Sequence, residues 1–133
     1  MHDDAKIKAF LDGKVFAVVG ASNDRNKFGN KVLRAYLQQG RRVFPVNPIE
    51  KTVEGLCSYP NLASLPEPVH GVSIVTPPHV TGEILKQAAA AGIGHVWIQP
   101  GAEPNDWQAL ADRLGISAIG GGPCVLVEMW CDD

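Results

Sequence analysis

Val15-Phe16-Ala17-Val18-Val19-Gly20-Ala21-Ser22-Asn23-Asp24-Arg25-Asn26-Lys27-Phe28-Gly29 is the stretch that decides the fold. Its first five residues are apolar without alternation, the pattern of a short strand buried on both faces, as in a parallel sheet. Gly20 stops the run. From Phe28 to Gln39 the apolar positions Phe28, Val32, Leu33, Tyr36 and Leu37 recur at helical spacing, Lys31, Arg34 and Gln38 face outward, and Gly40 supplies the stop. The unit is strand, glycine turn, helix.

The same alternation continues outward. Residues 42–46, 69–76, 95–99 and 116–119 read as further strands, and between them lie two helical stripes, Val80, Ile84, Leu85, Ala88 and Trp107, Leu110, Ala111, Leu114. Asn105 or Glu103 is placed to cap the second of these, Pro104 to open it and Gly115 to close it. Ahead of the first strand, Asp3 or Asp4 can cap a short opening helix with Ile7, Phe10 and Leu11 on one face, so residues 1–12 are an extension of the domain. Residues 51–68 are turn-rich, with at most a short helical piece at 61–64. Strands alternating with amphipathic helices imply right-handed crossovers. The expected fold is a single α/β domain over residues 1–133, Rossmann-like and doubly wound, with a five-stranded parallel sheet and helices on both faces.

Composition narrows the function. With 133 residues, 12 Lys+Arg against 14 Asp+Glu and a net charge of -2, the chain has no basic excess with which to displace the counterions of a nucleic acid. The apolar runs 15–19 and 72–75 are too short to span a bilayer, and Met1-His2-Asp3-Asp4 lacks the features of a targeting segment, so a cytoplasmic protein without membrane partners is expected. Cys57, Cys124 and Cys131 fall outside any CxxC or zinc spacing, which argues for reduced thiols and against a metal site.

In doubly wound sheets ligands bind outside the carboxyl ends of the strands. The five tips read Gly20-Ala21-Ser22, Val46-Asn47-Pro48, Thr76-Pro77-Pro78, Gln99-Pro100-Gly101-Ala102 and Gly120-Gly121-Gly122-Pro123-Cys124, each with glycine or proline and thus suited to a backbone-lined crevice. The first turn offers a helix N-terminus, the Ser22 hydroxyl and the cations Arg25 and Lys27 to a diphosphate. It is not the GxGxxG fingerprint, since the next glycine after Gly20 is Gly29, and the second tip carries Asn47 where an NAD domain places an acidic residue. With Lys51 nearby, a nucleotide bearing a further ribose phosphate fits better, which leaves NADP and coenzyme A.

These residues resemble the small bacterial coenzyme-A-binding proteins, a free-standing version of the nucleotide-binding domain of the succinyl-CoA ligase alpha subunit. The resemblance covers nearly all of residues 13–130 and rests on Val18-Val19-Gly20-Ala21-Ser22, Val46-Asn47-Pro48, Val75-Thr76-Pro77-Pro78, Trp97-Ile98-Gln99-Pro100-Gly101 and Gly122-Pro123-Cys124. It implies that residues 22–25, including Asn23, meet the CoA phosphates, that Lys51 lies near the adenosine end, and that Ile98, Gln99 and Pro100 flank the pantetheine arm. The ligase's catalytic histidine belongs to a further domain, so binding of CoA or an acyl-CoA without ligase chemistry is the leading expectation. An NADP-linked oxidoreductase-like or regulatory domain and a protein-interaction module with a vestigial pocket are the alternatives.

No tip carries paired carboxylates or a Ser/His/Asp set. His79, after Pro78, is the one histidine beside a tip; His70 and His95 fall at the far end of the sheet. Cys124, after Pro123 at an expected helix start, is placed to touch a ligand thiol and to form a mixed disulfide with CoA. Trp97, Trp107 and Trp130 read as core or interface aromatics.

Overall fold

The computed structural model describes residues 4–130. The expectations placed on His2, Asp3, Cys131 and the Trp130 side chain lie outside what it describes. The elements run α1 (Asp4–Leu11), β1 (Val15–Val19), α2 (Phe28–Gln38), β2 (Arg42–Val46), β3 (Thr52–Val53), β4 (Leu56–Cys57), β5 (Gly71–Ile74), α3 (Pro78–Ala90), β6 (His95–Ile98), α4 (Trp107–Leu114), β7 (Ser117–Ile119) and α5 (Val125–Trp130). Five strands form one sheet in the order β2-β1-β5-β6-β7, every neighbouring pair parallel. The expected doubly wound architecture is therefore present, and the strand order reverses between β1 and β5.

Side chains alternate across the strands and build two cores. Ala17, Val19, Val72, Ile74, Val96 and Ile98 pack with Ile84, Leu85 and Leu110 of α3 and α4. Phe16, Val18 and Trp97 pack on the other face with Phe10, Val32, Leu33, Tyr36, Val125 and Met129 of α1, α2 and α5. The opening helix is thus part of the second core. Phe10 lies 5.3 Å from both the Phe16 and Trp97 rings, and Gly71 leaves it room, since a Cβ there would sit 2.6 Å from the Phe10 ring. Arg41 donates to the Leu11 carbonyl at 2.7 Å and stands 5.5 Å over Phe16, fastening the end of α1. Within this core the buried Tyr36 and Ser73 hydroxyls satisfy each other at 2.6 Å.

At the amino end of the sheet His70 and His95 stack with centroids 4.5 Å apart, and His70 Nε2 meets the Ala9 carbonyl at 2.8 Å. Burial, and then the charge of His70, pushes His95 below the ordinary histidine range. The unfolded chain then binds more protons than the folded one as His95 titrates, so this contribution is complete above the ordinary value and is lost as pH falls through the lowered one. Thermal melting should accordingly decline from about pH 8 to about pH 5, and more gently in His95→Gln. Equal slopes for the two proteins would show that His95 does not contribute.

Three expectations about boundaries change. The strand expected over residues 69–76 is confined to Gly71–Ile74, although the flanking His70 and Val75 amides still donate to the Val15 and Val19 carbonyls at 2.7 and 2.9 Å. The helix expected from Pro104 starts at Trp107, with Asp106 at its cap position and no side-chain cap; neither Asn105 nor Glu103 takes that role. Within residues 51–68, a β3–β4 hairpin precedes the 3₁₀ turn at Leu62–Ser64, which Asn61 caps by accepting from the Ser64 amide at 3.0 Å.

Candidate functional site: the crevice at the carboxyl ends of the strands

Backbone approaches backbone where β1 ends. Gly20 has φ 94°, and a Cβ on it would run into the Val75 carbonyl oxygen at the tip of β5. A Cβ on Gly29 would run into the Gly20 carbonyl. Glycine at both places lets the first turn of α2 sit directly on the β1 tip. Lys27 occupies the cap position of α2, and its side chain makes no cap hydrogen bond to this helix end.

The loop between the two glycines is held by its own side chains. Ser22 Oγ accepts from the Asp24 amide at 3.0 Å, and Asp24 Oδ1 from the Asn26 amide at 3.0 Å. Asn30, fully buried, donates to the Ser22 carbonyl at 2.8 Å and accepts from Arg34 Nε at 2.6 Å. Asn47 donates to the Ala21 carbonyl at 2.8 Å while its Oδ1 receives the Ile49 and Glu50 amides at 2.8 and 3.0 Å. Asn47 is therefore a brace between the first two tips. Asn23 donates to the Thr52 carbonyl at 2.9 Å and accepts from the Glu54 amide at 3.1 Å, docking the β3–β4 hairpin on the loop. Arg25 forms a bidentate pair with Glu54, at 3.2 Å from Nε and 2.8 Å from Nη2.

Beside this loop opens a cleft of about 370 Å³ lined by Phe28, Val75, Thr76, Gln99, Pro100, Gly101, Ala102 and Cys124. Gln99, only 3% exposed, accepts from the Val125 amide at 2.7 Å and donates to Cys124 Sγ at 3.4 Å. Trp97 Nε1 donates to the Pro123 carbonyl at 3.0 Å, so the wall carrying Cys124 hangs from the core. Glu103 receives the Gly101 and Gly121 amides at 2.8 and 3.2 Å and ties the β6 and β7 tips together.

Of the residues singled out from sequence, Gly20, Ala21, Ser22, Asn23, Arg25 and Lys27 share the loop, and Thr76, Gln99, Pro100 and Cys124 meet in the cleft. Pro48 and Lys51 lie exposed past the β2 tip. Pro77, Pro78 and His79 are exposed at the head of α3, outside the cleft lining. Ile98 is a correction: its side chain is fully buried under α3 and α4 because strand alternation turns it inward, and it does not line the cleft. Phe28 is another. Its place in the helical stripe suggests core, yet it is 55% exposed and lines the cleft. Glu54, Asn30 and Glu103 escape sequence reading; the one local signal is Glu54-Gly55, a two-residue hairpin turn between Thr52-Val53 and Leu56-Cys57.

A doubly wound sheet with a glycine loop at its switch point and, beside it, an apolar cleft across the β5 and β6 tips is the arrangement of a domain that binds a nucleotide-bearing cofactor. The chain belongs to the family described as CoA binding domain, whose model matches residues 14–130, and coenzyme A is the ligand that membership assigns. It is 29% identical over 122 residues to the alpha subunit of an ADP-forming acetate–CoA ligase II of Pyrococcus furiosus, covering 84% of this chain and 27% of that one. The chain spans about a quarter or less of the curated relatives it matches. Among solved structures, a conserved hypothetical protein of Pyrococcus furiosus shares 36% identity with a TM-score of 0.81, covering 86% of this chain and 98% of that one. A dinucleotide-forming acetyl-coenzyme A synthetase of Ca. Korarchaeum cryptofilum, in complex with phosphate and ADP, shares 27% identity with a TM-score of 0.73, over 80% of this chain and 25% of that one.

The residues present suit coenzyme A. The loop presents backbone where a Cβ has no room, and the cleft walls are mostly apolar with Thr76 and Gln99 as neutral polar groups. Among the described residues, no group of three His, Cys, Asp or Glu side chains could hold a metal, and no helix is long and apolar enough to cross a membrane.

Proposed function

We propose that the protein binds coenzyme A or an acyl-CoA, with the diphosphate against residues 20–29 and the pantetheine arm in the cleft, and that it performs no ligase chemistry of its own. The observation that carries this reading is adjacency: the uncapped α2 terminus and the cleft share Phe28, so a ligand anchored by phosphates at one reaches the other. Helix-end amides and the helix dipole attract phosphate. At about 370 Å³ the cleft has the size of a small-ligand pocket and matches the arm rather than the whole cofactor. The thiol or acyl end then lies beside Cys124 and Gln99, and Lys51, past the β2 tip, is on the side for the adenosine phosphate. The cleft lining contains neither a histidine nor a carboxylate, which supports binding without acid–base chemistry.

Calorimetric titration with CoA, acetyl-CoA, NADP and NAD tests the reading. Saturable binding of CoA or acetyl-CoA, and none of NAD, is expected. Binding of NADP without CoA would place the protein among oxidoreductase-like domains, and silence with all four would favour an interaction module.

A further inference from the structure

We infer that Glu54 is a built-in competitor for the phosphate loop, occupying Arg25 in the free protein and giving it up to a ligand phosphate, so that its charge holds down the affinity for phosphate ligands. This rests on the CoA reading above. Glu54 is the one non-glycine among the described residues with positive φ, 50°, at the first position of the β3–β4 turn, and Gly55 follows at 79°. Asparagine or glycine is the usual occupant of such a turn position. Here a glutamate takes it, and its carboxylate reaches back across the hairpin to the loop.

That carboxylate receives Arg25 Nε and Nη2 at 3.2 and 2.8 Å and Asn30 Nδ2 at 2.9 Å. Asn30 is wholly buried and fixed by Ser22 and Arg34, so it holds the carboxylate in place. The Arg25 and Asn30 hydrogen bonds bring Glu54 down to about 2, leaving it charged at any working pH. Arg25, by contrast, keeps 66% of its side chain exposed and is free to turn outward. A phosphate arriving at residues 22–25 therefore meets an anion already paired with the loop's arginine. It must either draw Arg25 across or sit beside the Glu54 charge, and each option lowers affinity, by an amount that grows with the negative charge the ligand brings to the loop.

The test is titration of the full chain with CoA and with 4′-phosphopantetheine, at low and high salt, for wild type, Glu54→Gln, Glu54→Asn, Arg25→Gln and Glu54→Gln with Arg25→Gln. Both neutral Glu54 variants should bind CoA about threefold to tenfold more tightly at low salt, with a smaller gain at high salt. 4′-Phosphopantetheine, with one phosphate, should gain by a smaller factor than CoA, and the gain over wild type should vanish when Arg25 is also replaced. Glu54→Asn suits the positive φ, so it preserves the turn even if Glu54→Gln loosens it. Unchanged or weaker CoA binding in both neutral variants, with wild type still binding CoA, overturns the role of Glu54 alone; wild type that binds no CoA overturns the functional reading as well.

Discussion

Gly29→Ala should melt roughly 10 °C below wild type and bind no CoA at temperatures where it remains folded. Its new methyl group would collide with the Gly20 carbonyl, a backbone atom that cannot swing aside as a side chain tip can. Gly20 is itself against the Val75 carbonyl, so the strain has no free direction and passes to the β1–β5 contact. Overpacking of this kind costs about 3 kcal/mol. Gly82→Ala in α3 is the matched control: its Cβ would lie 3.7 Å from Leu110 Cδ2, an ordinary contact, and the helix gains about 0.5–1 kcal/mol from alanine. A Gly29→Ala protein as stable as Gly82→Ala would mean that the α2 terminus does not sit on the β1 tip. Differential scanning calorimetry decides the matter.

Trp97→Ala should produce a comparable loss for a different reason. The side chain is fully buried between Phe10 and the β7 side of the sheet, so its removal leaves a large cavity at a cost of about 4 kcal/mol. It also removes the donor that holds the Pro123 carbonyl at 3.0 Å. Trp97→Phe separates the two effects. It restores most of the volume but leaves that carbonyl without its partner, at about 1–3 kcal/mol, and frees the wall bearing Cys124. Chemical denaturation should rank wild type above Trp97→Phe above Trp97→Ala, while CoA affinity should already fall in Trp97→Phe. Unaltered affinity there would show that the Pro123–Cys124 wall takes no part in binding.

The sheet was legible because its signals are local and repeated: short unbroken apolar runs, helical stripes and glycine or proline at every tip. Phe28 and Ile98 were not, for opposite reasons. Phe28 continues the helical stripe, but it stands at the cleft mouth, 55% exposed, with Lys31 Nζ 5.3 Å over its ring. Ile98 stands in the motif shared with coenzyme-A-binding proteins, yet the two-residue period of β6 sends its side chain into the core and leaves Gln99 for the cleft. Arg25 illustrates a further limit. A cation in a phosphate-type loop reads as free, and only the folded hairpin brings Glu54, 29 positions later, against it. The hairpin itself is hidden because each of its strands has two residues, too few for any period to show.

Backbone amide shifts during a CoA titration, followed by ¹⁵N NMR, test the account most directly. The amides of Gly20, Ser22, Phe28 and Gly29 should move together with those of Gly101, Ala102 and Cys124, while His70 and His95 at the opposite rim stay still. Perturbations centred on Gly13, His70 and His95, or none in the turn leading into α2, would contradict it.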